Sequence, residues 1–305
     1  MRAFVFPGQG SQAVGMGKDL CANHPEAAEV FQKADQALGF ALSKLCFEGP
    51  EEELKLTSNT QPALLTTSMA ALAVLDKRGA AYGAVAGHSL GAYSALAAAG
   101  VLTLEDAVRL VRRRGQLMEE AGNGKGTMGV ILQLEDALVL QACQEASTVG
   151  VVEPANVNCP GQIVISGEKA AVAKALELAK AKGAKRAMEL PVSGPFHSSL
   201  MKPAADAFRS ELQKTPFADP QVTYYSDLDG AVLKDPDAIR ESLVRQLTSP
   251  VQWTTVIRKM AGDGIGVFVE VGSGKVLSGL IKKIAESAVV LNVGDAATAA
   301  ALPTE

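Results

Sequence analysis

A serine set between two glycines opens the chemistry. The stretch AGHSLGAYSALAAAG, residues 86–100, contains G-x-S-x-G at 87–91 and then runs into small helix formers. In such a turn the serine sits on a tight bend between a strand and a helix, and the glycines let neighbouring backbone pass close. The helix start aims amide N–H groups and the positive end of its dipole at charge developing on Ser89. A serine nucleophile needs a base, and the chain has 3 histidines. His24 precedes a proline in ANHPEA and reads as a surface residue. His88 adjoins Ser89, and alternation along a strand sends it to the other side. His197, in the glycine-proline loop SGPFHSSLM, remains as the base.

Two further stretches bear on the site. FPGQGSQAVG near the N-terminus imitates the dinucleotide fingerprint G-x-G-x-x-A. That fingerprint needs a second strand and an acidic residue about 20 positions on, and residues 24–38 look helical instead, so the loop is read as lending a backbone N–H to an oxyanion hole. GSGK at 272–275 lacks the first glycine and the Ser/Thr of a phosphate loop. VRRRG at 111–115 places three arginines on one helix. Successive residues diverge by about 100°, so the three cannot share a face. An arginine turned inward could serve as a carboxylate clamp.

The elements that must hold these residues alternate between strand and helix. Strands are predicted at 2–6, 84–88, 222–226, 267–271 and 288–292. Helices are predicted at 25–38, 58–78, 89–99, 103–121, 198–213, 237–247, 251–261 and 275–286. Thr103 caps the helix at 103–121, with Glu105 and Asp106 in the first turn. This order implies an α/β fold with a mainly parallel sheet covered on both faces. Between the two halves, residues 125–192 read strand, helix, strand, strand, helix, strand, which is the ferredoxin-like order βαββαβ. AGNGKG before it and PVSGP after it supply linker chemistry. A small domain at 125–192 is therefore expected, inserted into a large one formed by 1–124 and 193–305.

Composition bounds the partners. Hydrophobic residues make up 48% and charged residues 20%, as in globular domains. Aromatics at 5% and a net charge of −4 argue against stacking on single-stranded nucleic acid and against general polyanion binding. Cys21, Cys46, Cys143 and Cys159 form neither a CxxC pair nor a metal-ligand spacing. No apolar run approaches a membrane span, and a cytoplasmic location is expected.

As a set, FPGQGSQ (6–12), TQPAL (60–64), GHSLG (87–91), RG (114–115), NVNCPGQIVISG (156–167), GPFHSSLM (194–201), SPVQW (249–253) and EVGSGKVLSGL (270–280) resemble the malonyl-CoA:acyl carrier protein transacylases. The segments keep that family's order across nearly the whole chain. The resemblance implies a large α/β-hydrolase-like domain with a ferredoxin-like insertion. It implies Ser89 as nucleophile with His197 as its partner, and Gln9 and Leu90 as donors of oxyanion-hole amides. Arg114 would hold the malonyl carboxylate, and Gln252 would orient His197 through its backbone carbonyl. Malonyl-CoA and acyl carrier protein are the implied partners, with no metal and no resident cofactor. Phe196 suits malonyl-selective members, whereas Ala92 stands where many members carry Glu. Two other readings share the elbow: a serine thioesterase or lipase-like hydrolase, and an idle acyltransferase-like docking domain.

Overall fold

The computed structural model describes residues 1–122 and 124–304. In chain order its strands are β1 (Arg2–Phe6), β2 (Ala84–Gly87), β3 (Thr127–Leu132), β4 (Val152–Cys159), β5 (Gln162–Gly167), β6 (Arg186–Glu189), β7 (Thr223–Tyr225), β8 (Val232–Leu233), β9 (Val267–Val271) and β10 (Val289–Val293). They form two sheets. The larger has the order β10-β9-β1-β2-β7-β8. Its neighbours pair in parallel from β10 to β7, and β8 closes the edge as an antiparallel hairpin partner of β7. The central strands RAFVF and AVAG are almost wholly buried, as a parallel sheet covered on both faces requires.

One cover is the helix Thr57–Lys77, whose residues from Thr57 to Leu72 are nearly all buried. Being enclosed all round, it shows little amphipathic patterning. Phe4, Phe6 and Phe31 pack on this side of the sheet, and Trp253, Phe268 and Ile281 fill the other. Helix Leu104–Gly122 lies directly against the first turn of 57–77. A side chain at Gly115 would sit 2.6 Å from Ser58 Cα, so only glycine permits this backbone contact. The helix carrying the three arginines is thus seated chiefly on 57–77.

The smaller sheet has the order β4-β5-β3-β6 and is antiparallel throughout. Helices Asp136–Ala146 and Lys169–Ala181 join its strands in the order expected from the sequence and pack on it through Val139, Val172 and Leu176. Its edge strand β4 is stitched to the loop after helix Pro236–Gln246. Val157 N–H donates to Val251 O at 2.8 Å and Val251 N–H to Ala155 O at 2.9 Å.

Most expected elements agree within two or three residues. The elbow helix begins at Gly91 instead of 89, because Ser89 adopts a left-handed backbone. Short helices at Lys18–Asn23, Leu42–Glu48 and Glu51–Leu54 escaped the periodicity reading. The tail stretch DAATAAALPTE carries a helix, Ala296–Ala301, started by an Asp295–Thr298 capping box.

Candidate active site

Ser89 leaves β2 with φ +52°, in the left-handed region that a residue with a Cβ seldom adopts. The turn is tight: a side chain on Gly91 would stand 2.0 Å from Phe6 O. His197 is also left-handed, at φ +59°, in the loop that returns from the small sheet. Strain at both members of a pair is held by surrounding structure. Ser198 Oγ–H donates to Pro195 O at 2.6 Å, and Ser199 N–H to Glu153 Oε2 at 2.7 Å.

The two side chains meet, with Ser89 Oγ 2.7 Å from His197 Nε2. On the far side of the ring, Nδ1 lies 2.8 Å from the backbone carbonyl of Gln246. A carbonyl only accepts, so Nδ1 carries the proton and Nε2 is the free base facing the serine hydroxyl. Burial, then the charge of Arg114, pushes the His197 pKa down to about 3. The ring is therefore neutral and competent as a base across the neutral range. The orienting carbonyl belongs to Gln246 and not to Gln252. The latter caps helix Trp253–Gly262, and its amide donates to Asp227 O at 2.8 Å.

Arg114 is 1% exposed. Its guanidinium donates to Gln61 Oε1 at 2.8 Å, to Gln246 Oε1 at 3.0 Å and to Ser89 Oγ at 3.3 Å, and it lies over the Tyr93 ring. Arg112 instead reaches Asn59 and the Phe40 ring, and Arg113 reaches Glu120 at the surface. Of the three, Arg114 alone reaches Ser89, consistent with a spacing that keeps the three from sharing a face.

Ser89, His197 and Arg114 open on a cavity of about 180 Å³. Apolar walls come from Met118, Met128, Leu190, Phe196, Leu277 and Leu280. Gln9 and Leu90 line it too, and among the described residues neither backbone N–H donates to a protein acceptor. Two unengaged amides beside a nucleophile can receive a developing oxyanion. The Gln9 side chain ties its loop to Thr57 Oγ1 at 3.3 Å.

His88 does not turn away as alternation suggested. The left-handed turn at Ser89 breaks the strand register, and His88 lines the same cavity. It contacts neither Ser89 nor His197 through a hydrogen bond. Its Nε2 meets Asn158 Oδ1 at 2.9 Å, its ring meets Trp253 edge-on, and burial lowers its pKa. His24 stays at the surface beside Glu26.

Three functional neighbours were not singled out from sequence. Gln61 and Gln246 each offer a side-chain oxygen to Arg114, and Asp227 accepts the Ser89 amide at 2.9 Å. Gln61 falls within the TQPAL segment, but neither glutamine carries a charge or a pattern that marks it. Asp227, at the end of a buried strand, was the legible signal, because a buried carboxylate needs partners.

The chain matches the family model described as acyl transferase domain over residues 3–304. It is 51% identical over 287 residues to the malonyl CoA-acyl carrier protein transacylase of Escherichia coli, covering 93% of each chain. It is 48% identical to the enzyme of that name from Bacillus subtilis, covering 97% of this chain and 94% of the relative. Among solved structures, an acyl carrier protein S-malonyltransferase from Vibrio cholerae superposes with a TM-score of 0.96 at 45% identity, covering 99% of both chains. A malonyl-transacylase in complex with its type II PKS acyl-carrier protein gives a TM-score of 0.96 at 45% identity, covering 98% of this chain and 97% of that one. Among the described residues no helix is long and apolar enough to cross a membrane. With a match that runs almost end to end and relatives near half identity along the same fold, this chain belongs to the acyl transferase domain family.

Proposed function

We propose that this protein transfers the malonyl group of malonyl-CoA to the pantetheine thiol of an acyl carrier protein through an acyl-serine intermediate. The observation that carries this reading is a buried guanidinium 3.3 Å from a serine that is itself paired with a neutral histidine. A nucleophile alone would serve any acyl group. A buried cation beside it favours an acyl group that ends in a carboxylate, because burying that carboxylate unpaired is costly.

Ser89 Oγ attacks the thioester carbonyl while its proton passes to His197 Nε2, and the Gln9 and Leu90 amides receive the oxyanion. Collapse breaks the C–S bond, and the departing thiolate takes the proton from His197. In the second half the carrier's thiol gives its proton to His197 and attacks the acyl-serine. Ser89 then leaves and recovers its proton from the ring. Arg114 keeps the malonyl carboxylate paired throughout. Each step uses this chain's own side chains and amides, so the reading includes no metal and no resident cofactor.

The fold is read as an α/β-hydrolase-like large domain, 1–124 and 193–305, with a ferredoxin-like small domain at 125–192. The parallel sheet with the serine elbow after β2 and the β4-β5-β3-β6 order support this. A cytoplasmic location accords with the carrier-dependent reaction. Lys182, Lys185, Arg186, Lys275, Lys282 and Lys283 are the proposed contacts for an acidic carrier. Lys275 opens the helix Val276–Ile284 whose Leu277 and Leu280 wall the cavity.

Incubation with labelled malonyl-CoA, with and without carrier protein, tests the proposal. Label moving to the carrier supports it. Release of free malonate alone would indicate a hydrolase, and an unlabelled Ser89 would indicate an idle docking domain.

A further inference from the structure

Behind the strained serine lies a carboxylate that the steps above do not use. Asp227 follows β7 and is 1% exposed. Its Oδ2 accepts the Ser89 amide at 2.9 Å, and its two oxygens accept the Gln246 side-chain nitrogen at 3.0 and 2.8 Å. Gln246 is fully buried and faces every member of the site. Its backbone carbonyl holds His197 Nδ1, its Oε1 holds Arg114, and its Nε2 also donates to Ser89 O at 3.0 Å. A guanidinium can only donate and a carboxylate at neutral pH only accepts, so these contacts fix which end of the amide is oxygen.

We propose that Asp227 is a positioning residue for acyl transfer, which acts through the Gln246 side chain to hold Arg114 and the Ser89 elbow in register and to offset the guanidinium charge beside His197. This rests on Ser89, His197 and Arg114 being the reacting set. All three hydrogen bonds of Arg114 go to uncharged acceptors, so its counter-charge lies one residue further away. Gln246 bridges that gap with its oxygen toward the cation and its nitrogen toward the anion. Burial pushes the Asp227 carboxyl up to about 6, against the Gln246 amide, the Ser89 N–H and the Arg114 charge, which pull it down. The group is therefore ionised at neutral pH.

Two effects follow from that charge. When His197 takes the serine proton, a second cation forms beside Arg114, and Asp227 lowers the cost of forming it. When a substrate carboxylate arrives, Arg114 serves two anions, so Asp227 weakens the hold on the bound acyl group. Removing the charge should slow the chemical step and tighten malonyl binding together. A packing defect would produce no such opposition.

The test uses Asp227→Asn, which keeps the shape and removes the charge. Single-turnover acylation by malonyl-CoA should slow by about tenfold to hundredfold, while the half-saturating malonyl-CoA concentration falls several-fold. The half-saturating acetyl-CoA concentration should not move. Labelling of Ser89 by a fluorophosphonate, followed by intact mass, should slow by about tenfold. Gln246→Met provides a second route should Asp227→Asn fail to fold, and it should show the same slowed labelling. Asp227→Asn added to Gln246→Met should slow labelling by clearly less than the product of the two single effects, because the two share one network while Asp227 keeps its direct bond to the Ser89 amide. The assignment is overturned if Asp227→Asn labels and acylates at the parent rate, if the malonyl and acetyl constants move together, or if the two substitutions simply multiply. A parent protein that takes the fluorophosphonate but no malonyl group refutes the transfer reading instead, and the variants' labelling rates still decide the role of Asp227.

Discussion

Replacing Arg114 by alanine should change which acyl group the site accepts. Two contributions can be separated from the geometry. The first is specific to malonyl. Arg114 is 1% exposed, so a carboxylate brought to it leaves water and depends on that partner. Removing one member of a buried charge pair costs roughly 3–5 kcal/mol. At about 1.36 kcal/mol per tenfold, that is two to three and a half decades in rate. The second is common to every acyl group. Arg114 also donates to Ser89 Oγ, but at 3.3 Å, a long contact worth about 1 kcal/mol or roughly fivefold. Acetyl transfer should therefore fall about fivefold, and malonyl transfer by roughly a thousandfold or more. The assay compares labelled malonyl-CoA and acetyl-CoA as donors to the same carrier protein, with intact mass reporting the acyl-serine. Arg112→Ala and Arg113→Ala, whose side chains face Asn59 and Glu120, should leave the malonyl-to-acetyl ratio unchanged. If Arg114→Ala lowers both donors by the same factor, Arg114 only braces the elbow and the carboxylate binds elsewhere.

Ser89→Ala should fold and show no mass adduct with malonyl-CoA. Ser89→Gly should melt no lower than Ser89→Ala, the reverse of the usual order, because φ +52° suits glycine. His197→Ala should slow acylation by roughly two to four decades. His197 also carries a pH signature: its pKa is lowered from 6.5 to about 3, so between those values the unfolded chain binds more protons and stability falls as pH falls. Asp227, raised from 3.8 to about 6, works in the opposite direction over a narrower window. Lowering pH from 6.5 to 4.5 should thus lower the urea midpoint of the parent more than that of His197→Ala. Charge reversal at Lys275, Lys282 or Lys283 should raise the half-saturating carrier concentration without moving that for malonyl-CoA. Reversal at Lys182, which already pairs with Glu145 at 2.9 Å, should matter least. Carrier transfer that is indifferent to salt would count against this docking mode.

The sequence exposed those parts of the site whose chemistry is written in side-chain type and spacing. Ser89 stood out by its flanking glycines and His197 by scarcity, whereas helical geometry said only that the three arginines diverge, and the family resemblance was needed to single out Arg114. What stayed hidden depends on backbone path. Gln246 and Gln252 lie on either side of one loop, and nothing in their types shows which carbonyl meets the His197 ring. His88 was misplaced for a similar reason: alternation holds only while a strand continues, and the strand ends at Gly87. Asp227 could be flagged as a buried acid but not joined to Gln246, 19 positions away in sequence, without the fold. Helix Leu104–Gly122 was legible end to end because its Thr103 cap, acidic first turn and apolar stripe agree.

The two hydrogen bonds between Val251 and β4 act as a weld between the sheets. The loop they pin begins just past Gln246, so the base's carbonyl partner and the edge of the smaller sheet move as one body. The base's orienting carbonyl is thereby referenced to both sheets, five residues from the point where they are joined. The same weld should show in amide exchange: the Val157 and Val251 protons should be released only when the whole fold opens.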